Sequence, residues 1–91
     1  PREVEELLLR YPEISEAAIV PVADPVLGEI ACCCIVRAGN GPLDLAGVCD
    51  YLADHGIAKH KLPERLEFFE KLPVGPTRKV VKQQLIDQLS A

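Results

Sequence analysis

Lys71, Arg78, Lys79 and Lys82 fall within twelve residues that contain no acid, in a chain whose formal charge is −4. Clustered ammonium and guanidinium groups attract anions, so phosphate or carboxylate is the expected guest. Lysine suits that task because its compact charge rides on a flexible stem and can reach from a loop onto another surface. The spacing of Val81, Leu85 and Leu89 predicts a final helix from about Arg78 to Leu89. Three of the four bases would then crowd its first turn, where the helix dipole disfavours each cation by about 0.3–1 kcal/mol. A local rule broken without gain to the fold marks a place to look for function. A solvated basic face is the plain alternative. Likewise, Pro73-Val74-Gly75-Pro76 either serves as a connector or presents the lysine in a fixed direction.

The rest of the chain limits what this cluster can belong to. Ninety-one residues, 48% of them hydrophobic, suffice for one modest core and leave no room for a second domain or a deep enclosed pocket. Residues 1–54 hold ten acids against three bases, and residues 55–91 hold seven bases against four acids. An anion site therefore belongs late in the chain, and the overall acidity argues against a nucleic-acid binder. No apolar run approaches the roughly 20 residues of a membrane span, and no signal peptide is visible, so a protein free of the membrane is expected. Cys32, Cys33 and Cys34 are consecutive within the apolar run Ile30–Val36. On a strand they alternate between faces and cannot converge on one metal, so they are expected to be buried structural thiols, which favours a cytoplasmic setting.

The elements that must position the cluster follow from periodicity and turn chemistry. Val4, Leu7, Leu8 and Tyr11 mark one face of a helix over Pro1–Tyr11, with acids early and Pro12 at its end. Ala17–Val22 and Glu29–Arg37 predict adjacent strands joined through Asp24, Pro25 and Gly28. Their continuous apolarity predicts a sheet covered on both faces. Leu45, Val48, Cys49 and Leu52 mark a second helix ended by Gly56, with His55 interacting with the end of its dipole. Arg65–Glu70 predicts a third strand. The fold expected is α+β, a small three-stranded sheet with helices packed on it in the order α-β-β-α-β-α.

Pro1-Arg2-Glu3-Val4-Glu5, Tyr11 to Val20, Asp24 to Glu29, His60-Lys61-Leu62-Pro63 and Leu72 through Lys82, in order along the chain, together resemble the adenylate-forming superfamily of acyl- and aryl-CoA synthetases, which also includes the carrier-loading domains of peptide synthetases. Pro1-Arg2-Glu3-Val4-Glu5 resembles that family's Pro-x-Glu-Val-Glu, and Tyr11 to Val20 resembles the segment that follows it. Asp24 to Glu29 is similar to its Asp-x-x-x-Gly-Glu turn, and His60-Lys61-Leu62-Pro63 to its Tyr-Lys-x-Pro. Leu72-Pro73 through Lys79 and Lys82 is similar to Leu-Pro-x-Thr-x-x-Gly-Lys-x-x-Lys. The resemblance implies a mobile C-terminal lid, residues 1–91, that serves a large N-terminal domain lying outside this chain. A helix beginning at residue 1 fits a chain cut from something longer.

In such a ligase a carboxylate attacks the α-phosphate of ATP to give an acyl-adenylate and pyrophosphate, and a thiol then displaces AMP. Lys79 matches the family's catalytic lysine, which bridges the substrate carboxylate and α-phosphate. Gly75, Thr77, Arg78 and Lys82 fall in the same signature and are the candidate phosphate contacts. Lys59, His60 and Lys61 are candidates to meet CoA or an acidic carrier protein, or else form a solvated loop. ATP and CoA are implied as substrates, with magnesium accompanying ATP and bound outside this domain; no metal site is expected within it. Three departures stand out: His60 where Tyr is common, Gly75 where Thr is common, and Arg78 where Gly precedes the lysine. If that glycine has positive φ, Arg78 is strained and redirects Lys79; alternatively, it adds phosphate attraction. The leading expectation is an acid–CoA ligase. The rivals are an aryl-acid AMP ligase loading a carrier protein, toward which Gly56–Arg65 leans, and a non-catalytic interaction module with a degenerate lid fold.

Overall fold

A computed structural model describes residues 2–90. Helix α1 (Arg2–Leu9) leads into strand β1 (Ile14–Asp24), which turns back into β2 (Gly28–Arg37). Helix α2 (Leu45–Asp54) and a single 3₁₀ turn (Lys59–Lys61) carry the chain to β3 (Arg65–Phe68), and α3 (Lys82–Ser90) closes the order. The sheet runs β1-β2-β3, with β1 and β2 antiparallel and β2 and β3 parallel. This is the expected α-β-β-α-β-α architecture, its one parallel pair supplied by a helical crossover through α2.

Alternation along the strands divides the interior in two. Ile19, Cys33 and Ile35 face Val4 and Leu8 of α1 and Val48 and Leu52 of α2. Ala18, Val20, Val22, Cys32 and Cys34 face Leu72, in the segment between β3 and α3, and Leu85 of α3. The sheet is thus covered on both faces, as its continuous apolarity requires. The three consecutive cysteines are fully buried and unpaired, Cys33 on one face and its neighbours on the other. Burial pushes the Cys33 thiol up to about 12, and a hydrogen bond to Cys32 reinforced by burial raises Cys34. Neutral and enclosed, these two behave as small hydrophobes.

Pairing and capping set the element ends. The first strand extends beyond Ala17–Val22 in both directions because β2 pairs with it from Ile14↔Arg37 to Asp24↔Gly28. Pro21 is tolerated in the middle of β1 because that strand lies at the sheet edge. Asp24 Oδ2 accepts the backbone N–H groups of Val26 (3.0 Å) and Leu27 (2.7 Å), and Gly28 takes φ +87° to close the turn. Asp44 caps α2 by accepting the Gly47 N–H at 2.8 Å, and Gly56 at φ +89° ends it. His55 lies at that end with Nδ1 2.8 Å from the Tyr51 carbonyl, as expected of a helix-end histidine.

Three further boundaries differ from the sequence reading. Helix α1 stops at Leu9, with Tyr11 in the following turn; Pro1 lies outside the described residues. Strand β3 stops at Phe68, where its register with Ile35 ends. The largest difference is at α3, which begins at Lys82 rather than near Arg78. The backbone donors that would have opened that helix are used instead in a small hairpin.

Candidate active site

The hairpin grows from a buried anchor. Leu72 is 1% exposed and packs in the α3-side core, so the chain leaves the interior at a fixed point. Val81 N–H then donates to the Pro73 carbonyl (2.8 Å), and Val74 and Val80 form an antiparallel bridge. Gly75 N–H donates to the Lys79 carbonyl (3.0 Å), and Arg78 N–H to the Gly75 carbonyl (2.9 Å). These bonds pin the backbone on either side of Lys79. The side chains of Thr77, Arg78 and Lys79 are exposed, and none has a side-chain hydrogen bond or ion pair among the described residues. Arg78 and Lys79 therefore sit at the tip of a hairpin rather than in a first helical turn, and the dipole argument does not apply to them.

Arg78 has φ +64°, the one non-glycine residue with positive φ among those described. A side chain there costs about 1–2 kcal/mol relative to glycine. Gly75 shows the reverse. A Cβ there would meet Val81 Cγ2 at 3.4 Å, ordinary van der Waals contact, and its φ is not in the left-handed region, so the turn does not require glycine at that position.

Lys82 is held elsewhere. Its Nζ lies 2.8 Å from Glu5 Oε2, and the same oxygen accepts the Ile19 N–H at 2.7 Å. One half-buried carboxylate thus ties α1, β1 and the start of α3 together, and the lysine it holds follows the hairpin directly in the chain. Sequence reasoning missed this role for Glu5, whose only visible signal is an acid flanking the buried stripe of α1. It also missed Glu13, whose carboxylate accepts the Gly41 N–H at 3.1 Å and fixes the loop after β2.

Lys59, His60 and Lys61 form the 3₁₀ turn, and all three are exposed. Lys59 and His60 border an open groove of about 710 Å³ with Cys49, Leu62, Pro63 and Glu64. On the other side of the turn, His60 and Lys61 border a smaller hollow of about 280 Å³ with Val4, Ile19 and Ala31. The Cys49 Sγ, 3.4 Å from the Pro63 carbonyl, has its pKa raised by burial, then by the Asp50 carboxylate. The predicted residues therefore fall in three places: Gly75, Thr77, Arg78 and Lys79 in the hairpin, Lys82 at the start of α3, and Lys59, His60 and Lys61 in the 3₁₀ turn. No group of three or more His, Cys, Asp or Glu side chains converges as a metal site among the described residues.

The sequence of residues 3–79 matches the family model for the AMP-binding enzyme C-terminal domain. The chain belongs to that family. This AMP-binding C-terminal domain is 39% identical over 89 residues to "Enterobactin synthase component E" of Escherichia coli, covering 98% of the chain and 16% of that protein. It is 39% identical over 87 residues to the "Salicyl-AMP ligase / salicyl-S-ArCP synthetase" of Mycobacterium tuberculosis, covering 96% of the chain and 15% of that protein. The fold superposes on a Mycobacterium tuberculosis fatty acyl CoA synthetase with TM-score 0.87 and 32% identity, covering 99% of the chain and 18% of that structure. The chain thus spans about a sixth of the length of the relatives it matches.

Proposed function

We propose that this domain is the mobile lid of an AMP-forming carboxylic acid–thiol ligase and that Lys79 supplies its catalytic cation. The observation that carries this reading is a pinned backbone presenting, at a hairpin tip, an exposed ammonium with no ion pair among the described residues. Placed over a bound acid and ATP, that ammonium would sit between a carboxylate oxygen and an α-phosphate oxygen. It would offset their mutual repulsion as the new C–O–P linkage forms and pyrophosphate leaves. The thiol then attacks the acyl carbon, and AMP departs. Gly75 and Thr77 precede the lysine in the same turn and are proposed to approach the phosphates with it. The ion pair of Lys82 with Glu5 supports a role in bracing the turn alongside, or in place of, the phosphate contact expected of it.

A large N-terminal portion holding the acid and most of the ATP site is part of the proposal, supported by the length of the relatives. Magnesium would accompany ATP and be bound by that portion. The exposed 3₁₀ turn with Lys59, His60 and Lys61, beside its open groove, is proposed to meet the thiol donor. CoA is the first acceptor considered. A second reading, an aryl acid handed to a carrier protein, is favoured by the two 39%-identical relatives, whose names give an enterobactin synthase component and a salicyl-AMP ligase. A cytoplasmic location belongs to the same proposal, supported by four unpaired cysteines.

The test is acid-dependent exchange of pyrophosphate into ATP by the intact protein, across aryl, alicyclic and fatty acids, followed by thioester formation with CoA or carrier. Exchange with at least one acid is expected. Its absence across the whole panel, with the protein folded and magnesium-ATP present, would remove the ligase reading.

A further inference from the structure

We infer that Arg78 is a second anion ligand of the turn, gripping nucleotide phosphate oxygens that do not react while Lys79 serves the ones that do. The inference rests on the lid reading above and assigns this residue a share of the work within it.

Arg78 carries a cost without a return inside the fold. Arg78 occupies a left-handed conformation that L side chains avoid. What the turn takes from this residue is its backbone N–H, donated to the Gly75 carbonyl at 2.9 Å, and glycine or asparagine would supply that equally well. The guanidinium is exposed and makes no ion pair among the described residues. The chain offers it no neighbouring acid either, since none occurs between Glu70 and Asp87. Two adjacent cations at the tip of one hairpin also repel each other until an anion lies between or across them. Strain and repulsion both point outward, to a guest that brings negative charge.

The two cations differ in what they can hold. A guanidinium is a planar fork that matches pairs of phosphate oxygens, whereas an ammonium is a point charge that follows a moving centre of charge. A nucleoside triphosphate presents several oxygens that keep their charge throughout adenylate formation, and these suit the fork. Contacts made equally before and during the chemical step lower KM without changing kcat. Arg78 should therefore act on nucleotide binding, and Lys79 on turnover.

The experiment compares Arg78→Asn, Arg78→Gly and Arg78→Lys in the intact ligase, reading KM for magnesium-ATP and kcat in acid-dependent pyrophosphate exchange. Asparagine enters the left-handed region readily and glycine freely, so both keep the turn while removing the charge. Loss of one charge-assisted contact predicts a KM increase of about tenfold for both, with kcat changed less than about twofold. Arg78→Lys should fall between these and the native protein, and raising the salt concentration should weaken native ATP binding more than that of the neutral variants. KM within about twofold of native for both neutral variants overturns the inference, as does a loss confined to kcat. Lys79→Ala is run in parallel. If it leaves exchange intact, the lid reading itself fails; if it abolishes exchange while the Arg78 variants match the native protein, only the role of Arg78 fails.

Discussion

Two hairpin turns, each with a residue in the left-handed region, fill that position differently. Between β1 and β2, Gly28 takes φ +87°, Asp24 ties the turn through its carboxylate, and Val26 and Leu27 stand out at the tip. In the hairpin before α3, Arg78 takes φ +64° beside Lys79, with no side chain tying the turn from within. The first turn is built as the fold alone would choose, with glycine where a Cβ is penalised and a short acid bonded to its own backbone. The second accepts strain and places two cations side by side. Its departure from the local rule, set against a turn that obeys it, is what supports the functional role proposed for it.

The largest effect expected on this comparison comes from the hairpin's root. Leu72→Ala should destabilise by about 2–5 kcal/mol, because it empties a fully buried site between β2 and α3 and loosens the base on which Lys79 is carried. Chemical denaturation measures it; a change below about 1 kcal/mol would show that the hairpin is not anchored in that core. Next in size is Gly28→Ala, expected to cost about 1–2 kcal/mol through the left-handed backbone, since a Cβ there meets nothing within 4 Å and no steric clash contributes. Arg78→Gly should move stability the other way. Relief of about 1–2 kcal/mol of strain, less about 0.4–1 kcal/mol for the added freedom of the unfolded chain, leaves a gain of roughly 0.5–1 kcal/mol. Opposite signs at the two turns sharpen the contrast, and equal signs would break it. Smallest is Gly75→Ala, which fits the space beside Val81 and should be neutral or stabilising by up to about 1 kcal/mol in the same unfolding assay.

Much of this was legible in the sequence, for reasons that differ by element. The order of elements and the two-faced sheet followed from periodicity, because Ile19, Cys33 and Ile35 are separated from Val20, Cys32 and Cys34 by strand geometry alone. The adjacency of Arg78 and Lys79, and the strain conditional on a left-handed position, were also visible. The start of α3 was not. The apolar spacing of Val81, Leu85 and Leu89 reads as one helical face, yet Val80 bridges to Val74 and Val81 donates to Pro73, pairings that a helical period cannot reveal. Arg78 consequently breaks a backbone-conformation rule, and neither it nor Lys79 breaks a dipole rule. The Glu5–Lys82 brace was hidden for a similar reason: its partners are 77 positions apart and meet only once α1 and α3 have packed against β1.

The most direct test of the central claim compares the two half-reactions in intact Lys79→Ala protein. An ammonium that bridges carboxylate and α-phosphate predicts acid-dependent pyrophosphate exchange reduced by about 10²–10³-fold or more, with thioester formation from supplied acyl-adenylate near the native rate. Exchange at the native rate, or equal loss of both half-reactions in a protein that remains folded, would contradict it.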